Sequence, residues 1–229
     1  MTIDSPVASR GALLQLLQLC SPSLPIGGFA WSQGLEYAID AGWLKGEADI
    51  VSWLESMLGH NFAYLDLPVL FRLHDAWCAD DLRAVAHWNS VVLASRESRE
   101  LLLEDEQMGL ALRRLLLDLG FASPVQLGFK QVSYVTCFAF AAVHFGIDRR
   151  SMGLGFVWGW LENQIAAAIK VVPLGQTSGQ RIFHELVGVL ESVVEVAFGV
   201  EDDEVGMSLP GQVMSSMLHE EQYSRLFRS

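Results

Sequence analysis

Basic side chains are scarce in this chain. Lys and Arg total 15 against 27 Asp and Glu, a formal charge of −12. Phosphate recognition needs a positive field, so this balance argues against a nucleic-acid binder and against docking on an anionic membrane. Cysteine is sparse as well. Cys20, Cys78 and Cys137 are far apart and odd in number, which excludes a disulfide framework and a paired zinc motif. No basic segment followed by an apolar stretch opens the chain, so no signal peptide is expected. The stretch from Gln131 to Ile147 lacks Asp, Glu, Lys and Arg, but it carries Gln131, Ser133, Thr136 and His144. It falls short of the roughly 20 mostly apolar residues of a spanning helix. A soluble, cytoplasmic protein is the expectation.

Chemical motifs are missing too. No Gly-rich loop ends in Lys-Ser/Thr, so a nucleotide triphosphate has no cradle of that type. His184-Glu185 begins like a zinc-protease helix, yet Gly188 stands where the second ligand belongs. Gly153-Leu154-Gly155 imitates a dinucleotide loop, but Trp158 replaces its third glycine and no strand precedes it. Those glycines, with Gly159 one turn beyond Gly155, predict instead a close approach by another helix. The six histidines are scattered, with none placed to share a metal with another His or Cys one turn away. Ser32 lacks the flanking glycines of a nucleophile elbow. These absences predict a protein that is not an enzyme.

Apolar residues make up 51% of the 229 and charged residues 18%, enough for a sizeable core in one domain spanning 1–229. Helical periodicity dominates, which predicts an all-α fold of roughly eight to ten helices. Ala12–Leu19 and Ser32–Ala41 flank a loop whose prolines and glycines cannot continue a helix. Glu47–Tyr64 sets Ile50, Trp53, Leu54, Met57 and Leu58 on one face, and Asp66 with Pro68 predicts a fresh helix start. Helices are further expected over Ala79–Ala94, Arg96–Leu119, Gln131–Phe145, Asp148 to about Val172, and Gln176–Phe198. Phe121 to Gly128 reads as a connecting loop. Asp105 falls on the apolar stripe of Leu101, Met108, Leu112 and Leu115. A carboxylate there is either paired by an Arg or set at a partner surface. Residues 1–9 and 211–229 are expected to be flexible, the latter as a polar C-terminal tail.

Three segments suggest contact with partners. Pro25-Ile26-Gly27-Gly28-Phe29, running through Trp31 and Ser32 to Glu36, is a stiff loop that offers backbone and aromatic edges. Lys170 closes an otherwise apolar turn before Pro173 and Gln176, where it can cap the helix or meet a partner's carboxylate or phosphate. Tyr223-Ser224-Arg225-Leu226 is aromatic and basic with no partner nearby in sequence, and such residues are favoured at binding hot spots. A turn, a helix cap and a frayed end are their ordinary alternatives.

At these residues the chain resembles the urease accessory protein F family (UreF). The likeness runs from Leu24-Pro25-Ile26-Gly27-Gly28-Phe29 with Ser32-Gln33-Gly34-Leu35-Glu36, through Asp66-Leu67-Pro68, Ala94-Ser95-Arg96-Glu97-Ser98-Arg99-Glu100-Leu101 and Gln107-Met108-Gly109. It continues in Lys170-Val171-Val172-Pro173-Leu174-Gly175-Gln176 and in Tyr223 to Ser229. It is poorest from Phe121 to Lys130 and in the acidic stretch that follows Gly199. The resemblance implies a dimerising all-α protein that performs no catalysis. It implies binding to a D- or H-type accessory protein and to a G-type GTPase, in an assembly that loads nickel into apo-urease. On this view the complex handles the nickel, the chain holds no cofactor tightly, and His219 and Glu220 are at most transient metal contacts. Two readings compete: a metallochaperone holding nickel through His219, Glu220, Glu221 and Cys20, and an α-helical hydrolase.

Overall fold

The computed structural model describes residues 10–121, 129–172 and 174–228. The expected flexible residues 1–9, Pro173, and all but Phe121 of the expected connecting loop therefore lie outside the described residues. Among those described, the regular structure is helical: α1 (Arg10–Leu19), α2 (Leu35–Asp40), α3 (Glu47–Met57), α4 (Leu67–Cys78), α5 (Leu82–Ala94), α6 (Arg99–Asp118), α7 (Tyr134–His144), α8 (Arg149–Val171), α9 (Gln176–Val187), α10 (Leu190–Phe198) and α11 (Pro210–His219). The all-α expectation holds. Side chains cap the starts of several helices. Ser98 accepts from the Leu101 amide, Ser133 from Thr136, and Asp148 from Ser151, each satisfying an otherwise orphaned N–H.

The core is built on α4, α7 and α8. Leu67, Val69, Leu70 and Leu73 of α4 have no exposed surface, and Cys137, Ala139, Ala141 and Ala142 of α7 match them. α7 packs between α4 and α6, and α8 is lined by α1, α2, α9 and α10. Small residues permit these approaches. A Cβ on Gly155 would stand 2.5 Å from Leu16 Cδ1, so α1 lies against α8 there, whereas one on Gly159 would make ordinary contact with Cys20. Gly109 is tighter. Its missing Cβ would meet the Val132 carbonyl oxygen at 2.2 Å, so α6 rests directly on the backbone entering α7.

The helix starts expected at Ser32, Ala79, Arg96 and Gln131 fall about one turn later, at Leu35, Leu82, Arg99 and Tyr134, and two other boundaries change more. Asp66 and Pro68 do not start a helix; α3 continues into α4 through a π-helical segment, Leu58–Asp66. A proline ring crowds the carbonyl one turn earlier and brings no N–H for it, and the wider π turn makes room. The Tyr64 carbonyl is satisfied by the Gly206 amide at 3.0 Å. Gln176–Phe198 is divided into α9 and α10, because Gly188 falls at the junction, where a single tight turn (Val189 N to Leu186 O, 2.9 Å) redirects the chain.

The C-terminal segment is the largest correction. Expected as a mobile polar tail, it forms α11 and then runs back over the body, with Gln212, Ser215, Ser216, His219 and Phe227 buried.

Gly109→Ala should cost about 3 kcal/mol, since the clash is with backbone that cannot rotate away. Gly59→Ala, whose Cβ meets nothing within 4 Å in a helical stretch, should be neutral or stabilising by about 0.5–1 kcal/mol. Urea unfolding of the two variants beside the parent chain checks both.

Candidate functional site

The three segments singled out by sequence meet on one side of the molecule. Gly27 takes a left-handed φ of 77°, which directs the loop into a short 3-10 turn over Gly28–Ala30 and leaves Phe29 exposed. Gly28 has ordinary φ; what it needs is space, since a Cβ would lie 3.2 Å from Asn163 and 3.3 Å from Met108. Trp31 turns inward and is buried. Ser32 and Glu36, expected at a partner surface, are buried as well. The Ser32 hydroxyl accepts from the Glu36 amide at 3.3 Å, inside the first turn of α2.

Glu36 holds the end of the chain. One carboxylate oxygen accepts from Leu226 N at 2.7 Å; the other accepts from Phe227 N at 2.9 Å and faces His219 Nε2 at 3.2 Å. His219 Nδ1 faces Glu100 Oε2 at 2.9 Å, and Arg225 donates to the other Glu100 oxygen at 3.0 Å. A neutral imidazole has one N–H, so filling both contacts takes a doubly protonated ring or a proton on a carboxyl group. Burial raises the Glu100 carboxyl above its ordinary range, against the lowering effect of His219 and Arg225. Ser215 donates to the Gly34 carbonyl, and Ser216 pairs with Ser98 at 2.7 Å. Gly34 has a φ of 84°, and a Cβ there would stand 2.8 Å from the Ser216 amide, so the close seat of α11 depends on glycine.

This arrangement changes several roles. Arg225 is turned toward the chain's own Glu100. His219 has no exposed surface and both nitrogens are engaged, so it is not available to a metal. Cys20 donates its S–H to the Gly155 carbonyl, and burial pushes its thiol up to about 12. The set His219, Glu220, Glu221 and Cys20 is therefore not assembled, and among the described residues no group of three or more His, Cys, Asp or Glu is disposed to hold a metal ion.

With its polar side turned in, α11 shows its apolar side out. Met214, Met217 and Leu218 are exposed, as is Met207 just before the helix. Sequence reading overlooked this face, although the 214, 217, 218 spacing is a helical stripe. Tyr223, Ser224 and Leu226 are exposed beside it in sequence. Lys170, at the exposed end of α8, lies with its Nζ 5.5 Å from the Phe227 ring centre. Gln176, at the start of α9, is exposed. Arg228 donates its amide to the Ala30 carbonyl, and its guanidinium stands 5.9 Å from the Trp31 ring centre. The loop around Phe29, the end of α8 and the C-terminal strap are thus joined.

Gly28 and Phe29 also line a cavity of about 110 Å³, whose lining includes Phe62, Phe138 and Phe156. Arg96 stands on its wall and settles the question of Asp105. It donates to Asp105 at 2.9 Å and to both oxygens of Asp66 at 2.5 and 3.3 Å. Asp105 also accepts from Tyr134 N at 2.6 Å. Burial works against the Arg96 charge, but the two aspartates outweigh it and raise the guanidinium's hold on its proton. Burial keeps Asp105 above its ordinary range despite Arg96. Glu104 is the surplus carboxyl. It accepts from Gln33 Nε2 at 2.9 Å, and burial pushes it up to about 8, against the pull of Gln33 and Arg96.

A sequence model of the UreF family matches residues 44–187. The chain is 48% identical to the urease accessory protein UreF of Chromohalobacter salexigens, over 95% of each chain. It is 48% identical to that of Teredinibacter turnerae, over 95% of this chain and 98% of the relative. The protein of the same name from Marinobacter nauticus is 46% identical over the whole of both.

Glu104 ionises near pH 4.3 in an unfolded chain but only near 8 in the fold. Between these values the folded state holds a proton that the unfolded state has lost, so stability falls as pH rises through the window. Glu104→Gln should remove that slope and stabilise the protein at pH 8 by on the order of 4–5 kcal/mol, with no gain at pH 4. Denaturant midpoints of both proteins from pH 4 to 8 measure it.

Proposed function

The chain belongs to the UreF family of urease accessory proteins, with a role in urease maturation, and we propose that within this role it is a non-enzymatic assembly factor. In this reading it bridges a D/H-type accessory protein and regulates a G-type GTPase while nickel, the cargo of the complex, is inserted into apo-urease. The relatives are named as accessory proteins. The observation that carries the reading is the reversed polarity of α11. A helix that turns Gln212, Ser215, Ser216 and His219 inward and Met214, Met217 and Leu218 outward is presented for a partner. Exposed methionines suit such a surface, because they adapt their shape on contact.

We assign the D/H-type partner to this face together with Tyr223, Ser224, Arg225 and Leu226. The GTPase is assigned to the end of α8 and the start of α9, through Lys170, Pro173 and Gln176, with Pro25, Gly27, Gly28 and Phe29 at its margin. Ser32 and Glu36 act from within by holding the strap. Homodimerisation would use α1, where Leu13, Leu14 and Leu17 are exposed. A cytoplasmic location goes with these partners; among the described residues no helix is long and apolar enough to cross a membrane.

The test is reconstitution. The paired change Met214→Glu and Met217→Glu should weaken D/H-type binding at least a hundredfold while the melting temperature stays within about 2 °C, because exposed positions contribute little to folding. Lys170→Ala should likewise leave stability within about 1 kcal/mol, since it loses one exposed cation–π contact and a cap charge. It should nevertheless reduce urease activation and the change in GTP turnover on complex formation. Unaltered binding and activation in both variants would overturn the assignment.

A further inference from the structure

Three buried side-chain oxygens of residues lining the cavity beside Arg96 have no protein hydrogen-bond partner. Glu104 Oε2 on α6, Gln164 Oε1 on α8 and Asn61 Oδ1 in the π-helical segment each lack a protein hydrogen-bond partner. All three residues line the same cavity. Glu104 and Gln164 are 8% and 2% exposed, so bulk water does not serve them. A buried acceptor without a donor costs roughly 1–3 kcal/mol, so a bound group or water that supplies donors here is favoured. The volume, about 110 Å³, far exceeds the 10–15 Å³ that one water requires.

The ligand chemistry follows from what the wall offers and withholds. Asp66 and Asp105 spend their oxygens on Arg96 and on the Tyr134 amide, and Glu97 is exposed to solvent, which leaves Glu104 as the buried carboxyl of the described lining with an unused oxygen. One carboxylate with two neutral amide oxygens suits a single positive charge and is too little for a divalent ion. A primary ammonium group carries three N–H donors and no acceptor, which matches three acceptors. Phe62 and Phe156 add aromatic surface for a cation and its alkyl portion.

We propose that this cavity is a binding site for a small primary ammonium ion, held through its N–H groups by Glu104, Gln164 and Asn61. The cavity shares Gly28 and Phe29 with the margin of the proposed GTPase surface, but binding there does not depend on the assembly role. Below pH 8 Glu104 enters the reaction protonated, so each cation bound displaces one proton to solvent. The other titratable groups around it are Arg96, Asp105, Asp66 and Glu97, with Cys20 and Tyr134 opposite, both kept protonated by burial.

The experiment is calorimetric titration of the full chain with methylammonium chloride at fixed ionic strength, with tetramethylammonium and potassium chloride as cations without N–H donors. Methylammonium should bind saturably at one site, more than tenfold tighter at pH 8.5 than at pH 6.5, while the other two give no saturable heat. Glu104→Gln should weaken binding at least tenfold at pH 8.5 and abolish its pH dependence. Gln164→Leu should weaken it as much while keeping that dependence, so the two variants separate charge from hydrogen bonding. The melting temperature of each variant reports its fold. An absence of saturable methylammonium binding would mean that the cavity takes water only. That result, equal binding of tetramethylammonium or potassium, or unchanged affinity in both variants would each overturn the proposal.

Discussion

Arg96 is the residue on which the architecture turns. Its guanidinium reaches Asp66 at the end of the π-helical segment and Asp105 on α6, and Asp105 in turn accepts the first amide of α7. One side chain thereby fixes the relative positions of the long α3–α4 rod, α6 and α7. The planar fork suits this, since it can address two carboxylates in different directions at once. Removing one partner of such a buried group leaves a charge without compensation, at a cost of roughly 3–5 kcal/mol. The arrangement fixes geometry more surely than it adds stability, and the geometry is what the C-terminal segment is built upon.

That segment shows how far local composition can mislead. The helices of the body are legible from their apolar spacing, although the Ser98 and Ser133 caps start two of them later than the spacing alone suggests. The last turn of chain reads as free because Gln212, Ser215, Ser216 and His219 have no partners near them in sequence. Their partners lie far back. Ser215 is 181 residues from Gly34, Ser216 is 118 from Ser98, and His219 is 183 from Glu36. No window of sequence can show a polar residue satisfied at that distance, so polarity was taken for solvation.

Pro68 and Gly188 fail for related reasons. A proline after an aspartate marks a helix start in most contexts. Here a distant amide, that of Gly206, serves the carbonyl that Pro68 cannot, and the rod continues. Gly188 ends a helix without the left-handed φ that usually advertises a stop, so periodicity runs through it unbroken. The fold brings the three singled-out segments together on one side of the molecule. Their division of labour was beyond sequence. Phe29, Lys170 and Tyr223 face outward, whereas Ser32 and Glu36 work beneath them.

The two polar systems of this face share their supports. Glu100 and Glu104 are one turn apart on α6, the first gripping His219 and Arg225, the second turned to the cavity. From the other side the segment Ser32–Glu36 does the same double duty. Gln33 donates to Glu104 and accepts from Trp160 of α8, while Gly34 and Glu36 seat α11 and the strap. The cavity and the seat of the outward apolar helix thus rest on the same two stretches of chain, Ser32–Glu36 and the first turns of α6.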